Sequence, residues 1–124
     1  MIFDTTFIID IMRNEEKAVL KLNELIKRGE PQLIAALTVF ELFNGITRSQ
    51  RPTSEKNKVI NIIKGQVVLN LDNDSAEKAG ELYGHLAKEG NSIGIIDSLI
   101  SGIALTKKEK VVTRNIKDFS KVKG

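Results

Sequence analysis

Cysteine is absent from this chain of 124 residues. That excludes a disulfide framework and any thiolate metal site, and it leads us to expect an intracellular, cytoplasmic protein. Histidine occurs once, as His85 on an amphipathic helix, where it reads as a partly exposed surface residue and supports no Ser-His-Asp triad. No apolar run approaches the roughly 18 residues of a membrane span, and no basic region precedes an apolar one at the N-terminus. A membrane is therefore not among the expected partners. A phosphate-cradling glycine loop is missing too, because Gly80 and Gly84 do not follow a strand.

What remains is an ordinary globular composition, 41% hydrophobic and 28% charged. It is large enough for a real core, and residues 1–124 are expected to form one domain. The formal net charge is +3. Setting aside four acids discussed below leaves the rest of the surface more basic still, which suits a polyanion. Lys107, Lys108, Lys110, Arg114, Lys117, Lys121 and Lys123 concentrate that charge near the C-terminus. The same residues read equally well as an ordinary solvated surface.

Apolar runs and helical repeats alternate along the chain. Ile2–Asp4 reads as a buried strand that enters a helix through Thr5 and Thr6 as N-caps. Helical spacing runs from Glu15 to Arg28 and stops at Gly29. Leu33–Leu37 forms a second apolar run, and Thr38 opens a helix with Val39, Leu42, Phe43 and Ile46 on one face. A helix with Val59, Ile60, Ile62 and Ile63 follows the Arg51-Pro52 break. Val67, Val68, Leu69 and Leu71 make a third strand. Asp74 and Glu77 form a capping box for a helix reaching Lys88, with Gly90 after it; Asp72-Asn73-Asp74 reads as turn and cap, not a calcium loop. Ile95–Leu105 is an apolar helix, and Lys110–Thr113 a fourth strand. Strands separated by helices predict an α/β fold with a central parallel sheet flanked by helices, in α/β/α layers. The chain stops abruptly at Lys123-Gly124 for such a fold, and a short terminal strand is expected beyond it.

Four acids stand out against this background, each in apolar sequence where a strand ends or a helix begins: Asp4, Glu41, Asp97 and Asp118. Charged groups in such settings are costly unless paired or metal-bound, and none has an obvious basic partner in the sequence. Ligand sites of parallel sheets form beyond the carboxyl ends of the strands, so one sheet edge can collect all four. At about 5 Å and an effective dielectric near 20, each pair would repel by roughly 3 kcal/mol. Such a cluster holds protons or recruits divalent cations, and oxygen-only ligands point to Mg²⁺ or Mn²⁺. Ions so held can activate water against a phosphodiester. Each acid also has a structural alternative. Asp4 can end a strand and cap a helix. Glu41 can complete a Thr38-x-x-Glu41 capping box. Asp97 can sit at the positive end of a helix begun by Ser92 or Gly94, and Asp118 can cap or turn its own segment.

Four segments taken together resemble the PIN-domain family, and within it the small VapC-like toxin ribonucleases of toxin–antitoxin modules. They are Asp4-Thr5-Thr6-Phe7-Ile8-Ile9-Asp10, Thr38-x-x-Glu41-Leu42-x-x-Gly45, Ile96-Asp97-Ser98-Leu99-Ile100-Ser101 and Val112-Thr113-Arg114-Asn115-x-x-Asp118-Phe119. The resemblance spans essentially the whole chain. It implies metal-dependent cleavage of RNA by the toxin of a type II module, dimerisation, and inhibition by a cognate antitoxin. By position it makes Asp4, Glu41 and Asp97 the Mg²⁺ or Mn²⁺ ligands, with Asp118 or Asn115 completing the site and Asp118 preferred. Thr5 or Thr6 would orient Asp4 or the substrate phosphate, Thr113 would support the same pocket, and Arg114 would hold a flanking phosphate. Asp10 fits as a surface or helix residue. Phe40, about 100° from the core face of its helix, is the expected contact for a dimer or antitoxin. A catalytically weak nucleic-acid-binding or regulatory module is the competing function. A phosphatase built on Asp4 lacks its usual second aspartate, since position 6 is Thr6.

Overall fold

The computed structural model describes residues 1–122. Four short strands alternate with seven helices among them: β1 (Ile2–Phe3), α1 (Thr5–Met12), α2 (Glu16–Lys27), β2 (Leu33–Ala35), α3 (Ala36–Ile46), α4 (Pro52–Lys64), β3 (Val67–Leu69), α5 (Asn73–Lys88), α6 (Ile95–Lys107), β4 (Val111–Val112) and α7 (Ile116–Phe119). Every strand pairing is parallel, in the order β3-β2-β1-β4. Ile2 faces Leu33 on one side and Val111 on the other. Parallel pairing requires each connection to cross over, and here helices make every crossing.

Alternation along the central strands explains the layers. Phe3 and Ile34 point to one face, where they meet Phe7 and Ile8 of α1, Leu25 of α2, Leu42 of α3 and Val59 of α4. Ile2, Leu33 and Ala35 point to the other face, against Ile100, Ile103 and Ala104 of α6. The fold is thus the expected parallel sheet between helices. Phe3 and Phe7 meet edge to face with ring centroids 5.1 Å apart. Burying such side chains contributes about 1.5–3 kcal/mol each. No described helix is long and apolar enough to cross a membrane.

Several boundaries differ from the sequence reading. Asp4, not Thr5 or Thr6, occupies the N-cap position of α1. β2 passes into α3 without a loop, so α3 begins at Ala36 and Thr38 lies inside its first turn instead of opening it. α5 is capped by Asp72, whose Oδ1 accepts the Ser75 N–H at 2.8 Å; the Asp74–Glu77 box does not form the cap. That bond, with the nearby Lys107, lowers the Asp72 carboxyl to about 2. Leu71 falls outside β3, and β4 is limited to Val111–Val112. The glycine stops hold: Gly29 (φ +71°) and Gly90 (φ +76°) follow α2 and α5 in the left-handed region. The terminal strand expected beyond Lys123-Gly124 lies outside the described residues.

Candidate active site

The carboxyl ends of β1, β2 and β4 and the N-terminus of α6 converge on one notch. Asp4 directly follows β1 and is only 2% exposed. Two hydroxyls hold its Oδ2, with Thr6 donating at 3.0 Å and Thr113 at 2.7 Å. Both donors are themselves pinned by backbone. The Arg114 N–H donates to Thr6 Oγ1 at 3.0 Å, and the Asn115 N–H to Thr113 Oγ1 at 2.8 Å. The two hydroxyl bonds both fall on Oδ2 of Asp4, and Oδ1 takes no part in them. Because Asp4 precedes α1 without capping it, its charge is directed into the notch and not onto the helix.

Glu41 reaches the same region from the second turn of α3. Thr5 Oγ1 donates to Glu41 Oε1 at 2.5 Å and lies 3.2 Å from Thr38 Oγ1. Thr38 is fully buried and makes no capping bond. The capping-box alternative for Glu41 therefore fails, because the helix starts three residues too early, with Ala35 and not Thr38 at the N-cap. Thr38 instead packs against the threonine that holds Glu41, a role the sequence reading missed.

Asp97 lies in the first turn of α6 behind Gly94, one of the starts expected for it. Its carboxyl is pushed up to about 6, first by burial and then by the charges of Asp4, Asp118 and Glu41; an Asn115 hydrogen bond opposes the shift. The helix N-terminus also favours the anion, but burial and the neighbouring acids outweigh it. Asp97 is therefore close enough to sense the other three acids. Asn115 Nδ2 bridges two of them, donating to Asp97 Oδ2 at 3.0 Å and to Asp118 Oδ2 at 3.2 Å.

The expectation that all four lack basic partners needs one correction. Among the described residues no lysine, arginine or histidine pairs with Asp4, Glu41 or Asp97, but Lys121 Nζ lies 3.7 Å from Asp118 Oδ1. The Asp118-x-x-Lys121 spacing in the sequence was the available signal, since residues three apart on a helix are neighbours. Arg114, expected to meet phosphate, is exposed and pairs through Nε with Asp10 Oδ2 at 3.2 Å. Lys107 is likewise engaged, with Asp72 at 3.2 Å, so part of the basic C-terminal charge is locally neutralised. Phe40, next to Glu41, is 63% exposed. His85 is exposed on α5 and makes no contact with the four acids among the hydrogen bonds and ion pairs of the described residues.

The donor chemistry fits a hard divalent cation. Asp4, Glu41 and Asp97 offer oxygen only, and burial of Asp97 among like charges leaves an energetic gap that a cation fills. No three acidic or histidine side chains among the described residues close into a ready-made cage. Threonine hydroxyls hold two of the carboxylates, Asp4 and Glu41, at the notch.

A PIN-domain family model matches residues 1–124. The tRNA(fMet)-specific endonuclease VapC of Shigella flexneri is 31% identical over 125 residues, covering 98% of this chain and 90% of that protein. DNA-bound VapBC from Salmonella typhimurium superposes with a TM-score of 0.83 at 28% identity, over 96% of this chain and 89% of that one. VapBC2 from Rickettsia felis, bound to a promoter DNA fragment, gives 0.87 at 24% identity, over 98% and 93%. That last likeness is one of fold.

Proposed function

The chain belongs to the PIN-domain family, alongside the VapC nucleases, and from that membership we propose that it is a metal-dependent endoribonuclease acting as the toxin of a type II toxin–antitoxin pair. The observation that carries this reading is the placement of Asp97. It stands half-buried beside three other acids, with a raised pKa and no basic partner among the described residues. Asp4, Glu41 and Asp97 would hold Mg²⁺ or Mn²⁺. A bound ion would supply Lewis-acid stabilisation of the phosphate and a water acidified toward neutral pH.

The chain's own groups set the geometry for that chemistry. Thr6 and Thr113 fix Oδ2 of Asp4, so its orientation does not depend on substrate. Thr5 fixes Glu41, and Asn115 spaces Asp97 from Asp118. Such preorganisation removes reorganisation cost when charge develops at the phosphate. Arg114, at the edge of the notch, would exchange its Asp10 contact for a substrate phosphate. The VapBC complexes among the structural relatives support a cognate antitoxin as partner; the chain itself would act as a homodimer in the cytoplasm. The RNA on which the Shigella relative is named to act makes initiator tRNA the first candidate substrate.

The test is an assay of structured RNAs, tRNA included, with Mg²⁺, Mn²⁺ or EDTA. Wild type should cleave with either metal and stop in EDTA. Asp4→Asn and Asp97→Asn should each lose on the order of 100-fold while folding normally. Near wild-type turnover by either variant rejects its role as a ligand. Metal binding without any cleavage across the panel would favour the competing reading, a catalytically weak nucleic-acid-binding module.

A further inference from the structure

A closed ring of contacts runs through the fourth acid. Starting on α6, Asp97 Oδ2 accepts from Asn115 Nδ2, and the same amide donates to Asp118 Oδ2. Lys121 Nζ stands 3.7 Å from the other oxygen, Asp118 Oδ1. That ammonium also donates to the Ser92 carbonyl oxygen at 3.2 Å. Ser92 lies two residues before Gly94, the N-cap of α6, so the ring returns to the helix it left. The geometry points to Lys121 as a positioning residue that fixes Asp118 and Asn115 against Asp97. This inference rests on the reading of the acids as a cation site.

Three considerations carry it. Both oxygens of Asp118 are engaged, one by Asn115 and one by Lys121, so Asp118 orients the amide that touches Asp97. α7 spans four residues and its N-cap, Asn115, makes no side-chain capping bond to the helix backbone; a single turn does not hold itself in place, and Lys121 adds a tether to the α6 side beyond the packing of Phe119. Finally, a partly exposed ion pair contributes little to stability. Global stability is therefore a poor account of Lys121, whereas holding a metal-site neighbour in place typically changes affinity or activity by about 10–100-fold.

The experiment compares Lys121→Met, which keeps the aliphatic stem, with Lys121→Arg, which keeps charge and donors. Each is made in wild type and in Asp118→Asn. Calorimetric titration with Mn²⁺ should show Lys121→Met binding about 10-fold more weakly, with most of the loss restored in Lys121→Arg. On RNA, kcat should fall while KM holds, and the thermal midpoint should stay within about 2 °C. In the Asp118→Asn background, Lys121→Met should add less than about 2-fold, because its route of action is gone. Unchanged or tighter Mn²⁺ binding by Lys121→Met overturns the inference, the tighter result marking the ammonium as merely an opposing charge. An equal loss in the Asp118→Asn background overturns it too. If wild type shows this Mn²⁺ pattern but cleaves no RNA, the role of Lys121 stands and the ribonuclease reading falls. If wild type binds no Mn²⁺, both fall.

Discussion

At the scale of single residues, the notch stores unfavourable electrostatics that a cation would relieve, and Asp97 reports how much. Its carboxyl rises from 3.8 to about 6, so between about pH 4 and 6 the folded chain keeps a proton that the unfolded chain releases. The stabilisation linked to that proton is fully present below about pH 4 and is lost as pH rises through 6. In metal-free protein at neutral pH, ionised Asp97 is therefore a destabilising group. Removing the charge with Asp97→Asn should raise the thermal midpoint at pH 7. Discounting for partial exposure, a gain of about 1 kcal/mol corresponds to about 4 °C. The gain should shrink to nothing near pH 4, where the wild-type group is already neutral. A midpoint difference that does not change between pH 4 and 7 would detach Asp97 from the other acids. The same variant should fail at cleavage, so stability and activity should move in opposite directions.

Elements show why some of this was legible in the sequence and some was not. Alternating apolar runs and helical repeats identify the four strands and most helices, because a buried strand or an amphipathic helix is a local pattern. The glycine stops at Gly29 and Gly90 are local in the same sense. Helix starts failed where the cause was non-local. Thr38 looks like an N-cap in isolation, yet β2 runs straight into α3 and leaves Thr38 buried against Thr5. The left-handed residue that ends α6 is Lys108 (φ +56°), and no glycine marks it. The acids were found because charge in apolar sequence is conspicuous; Lys121, one lysine among many, was not. Within α6, Gly102 stands where the helix passes close against α5. A Cβ there would meet the Ser75 carbonyl oxygen, Ala79 Cβ at 2.7 Å and Ala79 N at 2.9 Å. Alanine gains about 1 kcal/mol in helix propensity over glycine, but forcing backbone apart costs about 1–3 kcal/mol. The steric term should win, with Gly102→Ala lowering the urea midpoint and loosening the α5–α6 seam that the 2.7 Å Ser75–Thr106 hydrogen bond also closes. A midpoint at or above wild type would mean that the two helices part without cost.

At the scale of the whole molecule, the acid notch and the apolar surface beside it belong to one problem, since a toxin must be silenced by a partner that reaches its site. Phe40 leaves most of its ring in water on the residue before Glu41. Glu41 also borders a cleft of about 230 Å³ whose apolar lining (Ile9, Met12, Leu42, Ile46 and Val59) is edged by Arg13, Glu55 and Lys58. An exposed apolar residue taken singly is unremarkable. One set beside a carboxylate of the candidate site and a part-apolar cleft is well placed for a partner that covers the site. Fully burying a phenylalanine contributes about 1.5–3 kcal/mol, and each 1.4 kcal/mol is about a factor of 10 in Kd. Phe40→Glu should therefore weaken self-association or antitoxin binding by about 10–100-fold, read by sedimentation of the free chain and by titration with the antitoxin. Cleavage by the free protein should persist, because Phe40 lies on the outer side of α3 while Thr5 holds Glu41 from within. If both affinities are unchanged, the partner surface lies elsewhere, and the exposed ring of Phe40 has no share in assembly.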